Sequence, residues 1–390
     1  MRPTRRVSSP IRCARKCGAS RYIPMVDTAA APPAHAIAAV THPDPYPYYR
    51  QLREKRPLYA DEGLQLWVAS SQTVIAEALH HPALQVRPPG EPVPAALQGT
   101  AAGEVFARLV RMTDGAFHAA HKPAVVQATQ RWTLADVARA CEAAAADLQP
   151  RLGPNALMGW LPVQTLARLL AVPEGDLDAT CGRVQQFVEG IAAGAPEAAV
   201  ALASDAAGML MAQGIAAGLD AVQAANRIAL MQQALDATAG LLGHTALMRA
   251  RHPQLATLAS GSRPAMRAFV AEVERHQAPI QNTRRYAAQA LQLAGQTLEK
   301  GQGVLLVLAS GNRDPAWNPA PDLFDPDRAG RRSLGFGAGV HGCPGEMIAI
   351  EIVAAYACWA GAGGRLDSYF GRHTGFRPLG NARVPVFEER

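Results

Sequence analysis

The chain has 390 residues, of which 49% are hydrophobic and 18% charged, a composition ordinary for a folded globular protein. Its formal net charge of +6 is concentrated at the N-terminus, where residues 1–24 carry seven basic side chains and no acidic one. The remaining chain has a formal charge of −1, so the basic pI gives no reason to expect a nucleic-acid partner.

The basic stretch 1–24 has two interpretations: a disordered arm, or an upstream misassignment of the start with Met25 as the true first residue. It contains no apolar stretch of the length of a secretory signal, and the chain has no uninterrupted apolar run of roughly 18 residues. We therefore expect a cytoplasmic, soluble protein without membrane contact, made of this tail and one domain over 25–390.

The cysteines give no sign of a disulfide framework or of zinc. The six of them are too few and too scattered for disulfide pairing, at positions 13, 17, 141, 181, 343 and 358. Cys13 and Cys17 have no matching second pair at a zinc-ligand spacing.

The first half of the chain predicts a helical protein with one early strand. In chain order the patterns predict entry into a helix at 43–54, a strand at 64–71, a helix at about 72–80 and a loop at 87–94. From about 102 to 260 the sequence is rich in Ala and poor in β-branched residues, which favours helix almost throughout.

Pro and Gly interrupt this helical region near 150–154, 194–196 and 240–243. The run from Ala225 to Met248 is nonetheless mostly apolar on all sides, which predicts a single long helix that is central and buried.

The last third is more irregular. It predicts a helix around 264–276, a strand at 303–310, a Pro- and Asp-rich meander at 312–328, a Gly-rich loop at 335–345 and a final helix at about 345–361. We find no internal repeat and no change of composition that would mark a second domain.

The Gly-rich loop reads FGAGVHGCPG, from Phe336 to Gly345. Its glycines allow backbone N–H groups to approach the sulfur of Cys343, and the following helix N-terminus favours a thiolate. The alternatives are a turn with an incidental buried cysteine and a dinucleotide-binding loop. The second alternative is disfavoured because the loop follows a Pro-rich meander rather than a clear strand.

These ten residues match the haem loop F-G-x-G-x-H-x-C-x-G at every specified position, and the chain resembles the cytochrome P-450 family. The resemblance implies a mainly α, triangular helical haem protein with a small β region. It implies that Cys343 is the axial ligand of haem b iron, with Gly345 beside it in the loop. It further implies that His341 hydrogen-bonds a haem propionate and that Phe336 packs beside the sulfur.

Two other segments add to the resemblance. Glu272 and Arg275, in EVER, resemble the family's E-x-x-R ion pair, whose members are neighbours on a helix. The segment APIQNTRRYA follows, and there Arg285 takes the place of a propionate-binding arginine. The resemblance implies that Arg313 or Arg328 completes the Glu–Arg cluster, without saying which.

HAAHK at 118–122 resembles the family's H-x-x-x-R, which implies that His118 and Lys122 contact the propionates. Lysine in place of arginine substitutes a point charge for a two-pronged donor. The alternative is a solvated helix that happens to carry two histidines.

The segment QALDATAG, 233–240, aligns with the family's A-G-x-[DE]-T-T and departs from it. Asp236 takes the acid position and Thr238 the second threonine, which implies roles in proton delivery. Ala237 replaces the first threonine and cannot donate a hydrogen bond. Thr238, a water or the substrate's hydroxyl would then substitute, or the oxidant is peroxide. A one-residue shift of the alignment, and a merely structural Asp236 paired with an arginine, also remain open.

The resemblance implies a monomeric monooxygenase of secondary metabolism that oxidises a small organic substrate with O2 and electrons from a ferredoxin or flavodoxin and its reductase. The alternatives are a peroxide-driven haem-thiolate oxidase and a haem-binding protein without turnover. Glu346 and Ile350, the latter commonly arginine in relatives, would alter the face that meets the electron donor. The substrate pocket is expected near 87–105 and 155–215.

Overall fold

The computed structural model of the protein describes residues 31–361 and 368–389. The described chain is mainly helical. Its α-helices are α1 (Tyr46–Lys55), α2 (Gln72–His80), α3 (Ala101–Ala107), α4 (Gly115–Gln130), α5 (Leu134–Leu148), α6 (Pro154–Leu169), α7 (Leu177–Gly190), α8 (Glu197–Ala216), α9 (Ala221–Arg251), α10 (Pro253–Ser260), α11 (Arg263–Gln277), α12 (Leu308–Asn312) and α13 (Glu346–Gly361).

The strands are short and few. They are β1 (Leu58–Asp61), β2 (Leu66–Ala69), β3 (Leu84–Gln85), β4 (Thr283–Ala287), β5 (Leu291–Leu293), β6 (Gln296–Leu298), β7 (Gly303–Leu306), β8 (His373–Phe376) and β9 (Pro385–Phe387). One sheet has the order β1-β2-β7-β4-β3, and only its β2–β7 pairing is parallel. The pairs β5–β6 and β8–β9 form two separate antiparallel ribbons.

Local signals explain where the main helices begin. Asp220 caps α9 by accepting from the backbone N–H groups of Val222 and Gln223, and Gln223 bonds back to the Asp220 N–H in a capping box. Pro154 stands at the first position of α6, where its missing N–H costs nothing.

The long helix α9 is the centre of the molecule. It packs against α6, α8, α11 and α13, and most of its middle residues are buried in the largest core cluster. The expected central helix over Ala225 to Met248 is confirmed, and the structure extends it at both ends. Apolar burial on all sides is what its lack of a polar face predicted.

The interruption predicted at 240–243 is wrong, because α9 continues through it. Gly240 and Gly243 serve close packing instead. A Cβ on Gly240 would lie 3.0 Å from the Arg383 carbonyl oxygen, and one on Gly243 would lie 2.9 Å from Met158 Sδ. The glycines therefore let the C-terminal ribbon and α6 approach the helix.

The other predicted elements fall close to the observed ones. The breaks near 150–154 and 194–196 separate α5 from α6 and α7 from α8. The strand predicted at 303–310 is shorter, since β7 ends at Leu306 and Leu308 begins α12. The proposed tail boundary at residue 24 and the pair Cys13 and Cys17 lie outside the described residues.

Two described segments, Glu197–Ala216 and Gly339–Gly361, are long and apolar enough to cross a membrane by length and composition alone. Core helices of soluble proteins pass the same test, and half of the second segment's most apolar window is buried inside the protein.

Candidate functional site

The loop before α13 is held in shape by its own backbone. The N–H of Cys343 donates to the Phe336 carbonyl at 2.9 Å, which closes the loop on itself. Gly337 and Gly339 have φ angles of 70° and 65°, a region that favours glycine. A Cβ on Gly339 would lie 3.0 Å from the carbonyl oxygen of Leu79, so this glycine also lets the loop pack on α2.

Cys343 is an exposed residue of this loop. It is accessible to solvent, yet enough protein surrounds it that burial raises the pKa of its thiol. The Gly345 N–H donates to Sγ at 3.3 Å and acts in the opposite direction, as do the charges of Lys122 and Arg111. Desolvation outweighs these donors in the balance that sets the pKa of this thiol. A bound metal cation would reverse the balance.

Beside the loop, α4 brings a histidine against His341. The rings of His118 and His341 are 4.4 Å apart, and His341 Nε2 lies 2.9 Å from Asp114 Oδ1. Asp114 also accepts from the Val86 N–H at 3.0 Å, and these contacts hold the pKa of its carboxyl below the usual value despite burial.

Three more cations surround this histidine pair. Lys122 donates to the Gly342 carbonyl at 2.8 Å, which connects α4 to the Gly-rich loop that carries Cys343. Arg285 on β4 is buried and lies in the field of Asp114 and Arg111. Burial lowers the pKa of Arg111, Arg285 and Lys122 alike.

This arrangement fits a group that carries carboxylates. His118 is buried, and its Nε2 has no hydrogen-bond partner, which is costly unless a ligand supplies one. Of the nearby cations, Arg285 is acted on by the carboxylate of Asp114 and repelled by Arg111, whereas the negative charge that acts on Arg111 and Lys122 is that of Cys343. An anionic ligand would therefore be favoured beside these three cations. The structure thus brings together Cys343, His341, His118, Lys122 and Arg285, which the sequence predicted as one site.

The Glu272–Arg275 pair is fully buried and lies at the centre of a larger cluster. Arg275 donates to both oxygens of Glu272, at 2.9 and 2.6 Å. Of the two arginines left open, Arg328 reaches Glu272 at 3.3 Å, whereas Arg313 donates to Asp322 and to the His276 carbonyl. A further member, Arg331, donates to Glu272 at 3.1 Å and had not been predicted.

Asp236 and Thr238 lie on α9, outside the cluster around Cys343. Arg377, the residue after β8, donates to Asp236 Oδ1 at 2.8 Å, and the side chain of Thr238 is buried. Asp236 is thus paired with an arginine, as one of the two interpretations of this residue expects. One turn before Asp236, the side-chain oxygen of Gln232 is buried without a hydrogen-bond partner.

The face near the start of α13 differs from the expectation. Ile350 is only 5% exposed and packs in the main core, so it does not lie on a partner-facing surface. Val340 and Met347, which flank Cys343 in sequence, are instead 69% and 50% exposed. Glu346 is exposed as well, at the first position of α13.

Sequence reasoning missed Asp114, Arg111, Arg331 and Arg377. Asp114 and Arg111 lie just before α4, four and seven residues before the predicted His118, but no spacing rule shows which loop side chains fold toward a site. Arg331 is one of two adjacent arginines, and Arg377 reaches its partner across 141 residues of sequence.

Comparison with known proteins gives a consistent result. The family model described as cytochrome P450 matches residues 244–356. Linalool 8-monooxygenase of Pseudomonas putida is 32% identical over 114 residues, covering 29% of this chain and 28% of that protein. The 6-deoxyerythronolide B hydroxylase of Saccharopolyspora erythraea is 31% identical over 122 residues, 31% of this chain and 30% of the relative. The match thus spans under a third of each relative.

Solved structures resemble the chain over most of its length. P450BioI, crystallised with an acyl carrier protein that bears hexadec-9Z-enoic acid, gives a TM-score of 0.74 at 21% identity, covering 88% of this chain and 98% of that one. P450 RauA, complexed with a biosynthetic intermediate of aurachin RE, gives 0.73 at 21% identity over 88% and 95%. At this identity the likeness concerns the fold. The described chain has the cytochrome P450 fold, and its residues 244–356 match the cytochrome P450 family.

Proposed function

We propose that the protein is a haem-thiolate monooxygenase that inserts one oxygen atom from O2 into a small organic substrate. The observation that carries this proposal is the convergence of the accessible Cys343 sulfur with the unsatisfied His118 and the cations of Lys122 and Arg285. One relative is a bacterial monooxygenase and another a hydroxylase, which supports the same reaction class.

Haem b would bind beside these residues and would supply oxygen activation, assisted by a thiolate ligand that favours O–O cleavage. The residues of this chain would hold it through the sulfur of Cys343, in the loop between Phe336 and Gly345. Its carboxylates would meet His118, Lys122, Arg285 and His341. Arg285 suits this task because its guanidinium can donate two parallel hydrogen bonds and stays charged when buried.

Proton handling would rest on α9. Asp236 can take up and release a proton at its carboxylate, and its bond to Arg377 fixes the orientation of the side chain. Thr238, two residues after Asp236, also has a hydroxyl, and the buried oxygen of Gln232 can accept from a substrate hydroxyl or a water. Ala237 contributes no hydrogen bond, so these neighbours would carry the role of the missing hydroxyl.

Electrons would arrive from a ferredoxin or flavodoxin with its reductase, in the cytoplasm, to a monomeric enzyme. The exposed apolar side chains of Val340 and Met347 lie at the loop that carries Cys343 and offer a docking surface close to it. Protein interfaces commonly combine an apolar buried core with a polar, solvent-accessible rim.

A peroxide-driven haem-thiolate oxidase is the second candidate. Ala237 favours it, because peroxide already carries the two protons that a distal hydroxyl would otherwise help to deliver, and the two electrons that a redox partner would otherwise supply. Comparing turnover with peroxide against turnover with ferredoxin, reductase and NAD(P)H separates the two functions.

The proposal is tested first by the colour of the protein. The purified chain is expected to be red-brown, and its reduced carbonyl complex to absorb at the long wavelength typical of thiolate ligation. Cys343→Ala should abolish that band, whereas Cys358→Ala, a cysteine on α13, should keep it. A Cys343→Ala protein that retains the band would disprove the ligand assignment.

A further inference from the structure

A cavity lies away from the proposed haem site. It has a volume of about 40 Å³ and is bounded by the segment before α1, the C-terminal ends of α9 and α11, and the β8–β9 ribbon. No residue of the proposed haem site lines it. Its polar walls include Asp44, Tyr46, His276, Arg251, Arg313 and Arg383.

Two of these side chains carry a buried hydrogen-bond donor without a partner. Tyr46 is 7% exposed and Arg383 is 2% exposed, yet neither the Tyr46 hydroxyl nor the Arg383 Nε has a hydrogen-bond partner. A buried donor that is left unsatisfied destabilises a folded protein. Both side chains line the same cavity, so one ligand inside it can satisfy both donors.

The charge of Arg383 distinguishes the ligand from water. Arg383 donates to the carbonyls of Val40, His42 and Pro43 at 2.6, 2.7 and 3.0 Å, and no described carboxylate lies within ion-pair distance of it. Arg313, by contrast, is paired with Asp322 at 3.1 Å. Burial lowers the pKa of Arg383 to about 10, which shows how weakly its charge is compensated.

Among the remaining groups around Arg383, the charge of Asp44 acts on the guanidinium but is not within ion-pair distance of it, and the effect of burial outweighs it. His244 and His276 are buried, and burial together with neighbouring arginines holds the pKa of each far below its usual value, so both are neutral. Asp44 is the one described carboxylate in the wall, and its Oδ1 accepts from the Tyr46 N–H. A water molecule would satisfy the donors but would leave the buried guanidinium without a counter-ion.

We propose that this cavity binds a small inorganic anion of about the size of chloride. The anion would accept from the Tyr46 hydroxyl and the Arg383 Nε and would compensate the charge of Arg383. The cavity lies between α9, α11, the segment before α1 and the β8–β9 ribbon. A bound anion would therefore stabilise the packing of these elements. The proposal is independent of the reaction proposed above.

The test uses the full-length, haem-loaded protein. Its unfolding midpoint would be followed in sodium chloride and in sodium gluconate at matched ionic strength, because gluconate is too large for the cavity. We expect a saturable stabilisation by chloride alone, with the logarithmic dependence of a one-site ligand. Protein-induced line broadening in chlorine NMR, which should level off once the site is saturated with chloride, would report the same site.

A pair of tyrosine variants makes the test specific. Tyr46→Phe removes the unpartnered hydroxyl and keeps the ring, which lies 3.4 Å from the guanidinium of Arg313. It should not lower the midpoint in gluconate, because the hydroxyl that it removes is unsatisfied there. It should weaken chloride binding about tenfold, the effect of one lost hydrogen bond to a charged acceptor. Tyr49→Phe removes a hydroxyl that donates to Gln281 at 2.9 Å, outside the cavity. It should lower the midpoint in gluconate and keep the full chloride effect.

Equal midpoints in chloride and gluconate for the wild type would overturn the proposal and indicate a cavity filled with water. An unchanged chloride affinity in Tyr46→Phe would overturn it as well, since the anion would then bind elsewhere.

Discussion

Arg275 donates to both carboxylate oxygens of Glu272, and both side chains are completely buried. A buried ion pair of this kind is sensitive to the loss of either partner, because the survivor is left as an uncompensated charge. Here the effect is larger, since Arg328 and Arg331 share the same carboxylate and the Asp325 N–H also donates to it.

We therefore predict that Glu272→Gln destabilises the protein by about 3–5 kcal/mol. The amide keeps the size of the side chain but leaves three guanidinium groups without their counter-ion. Unfolding by denaturant and the yield of haem-loaded protein would measure the loss. Glu351→Gln is a suitable comparison, because Glu351 is buried and pairs with only two partly exposed arginines, Arg263 and Arg267. A loss for Glu272→Gln no larger than for Glu351→Gln would contradict the prediction.

A second acid, Glu274, makes stability depend on pH. Glu274 is 5% exposed and packs so close to the start of the Gly-rich loop that a Cβ on Gly335 would overlap its carboxylate. Burial raises the pKa of Glu274 to about 7, and the charge of Glu346 acts in the same direction, while Ser333, Arg275 and Arg331 oppose it.

Between pH 4.5 and 7 the folded chain keeps a proton on Glu274 that the unfolded chain releases, so this group's contribution falls as the pH rises through that range. The loss at higher pH is on the order of 3 kcal/mol. Glu274→Gln should therefore be more stable than the wild type at pH 8 and similar to it at pH 5. Unfolding midpoints at both pH values measure this. The exposed Glu299→Gln should change neither value, and a pH-independent difference for Glu274→Gln would count against the assignment.

The pairing of Asp236 with Arg377 yields a prediction about the oxidant. If Asp236 delivers protons, Asp236→Asn should slow turnover with O2 and electron donors about tenfold or more, since it removes the acid. It should leave peroxide-driven turnover nearly unchanged, because that route needs no delivered proton. Equal losses by both routes would indicate a structural role for the acid.

Arg377→Gln is the matched control for that experiment. It removes the partner and keeps the carboxylate, so it should change stability by under about 1 kcal/mol, as expected for a partly exposed pair. Its effect on O2-driven turnover should be smaller than that of Asp236→Asn. A larger effect would show that the arginine, rather than the acid, is the group required.

The sequence predicted the residues that repeat a family pattern and missed those that a pattern does not mark. Cys343, His341, Glu272 and Arg275 could be found because their spacing along the chain is itself the signal. Asp114 could not, since its contact with His341 joins residues 227 positions apart and depends on how two loops fold. Ile350 was misplaced because the orientation of a residue on an apolar helix such as α13 cannot be deduced from its neighbours.

The misread interruption at 240–243 has a physical cause that can be tested. Glycine lowers helix propensity by about 1 kcal/mol relative to alanine, so two glycines within four residues look like a break. The structure keeps them helical because another chain segment occupies the space of their side chains. At Gly240 the nearest atoms to a Cβ are the Arg383 carbonyl oxygen and the Pro279 Cβ, both at 3.0 Å, and neither belongs to a flexible side chain.

Gly240→Ala should therefore destabilise the protein despite its better helix propensity, by about 1–3 kcal/mol as for other overpacked core positions. Gly208, on the exposed face of α8, has nothing within 4 Å of a Cβ. Gly208→Ala should stabilise the protein by up to about 1 kcal/mol, since only propensity changes there. Unfolding midpoints of the two variants would thus move in opposite directions from the wild type. A shift of both toward higher stability would mean that the ribbon yields to the extra methyl group and that the close approach at Gly240 is not required.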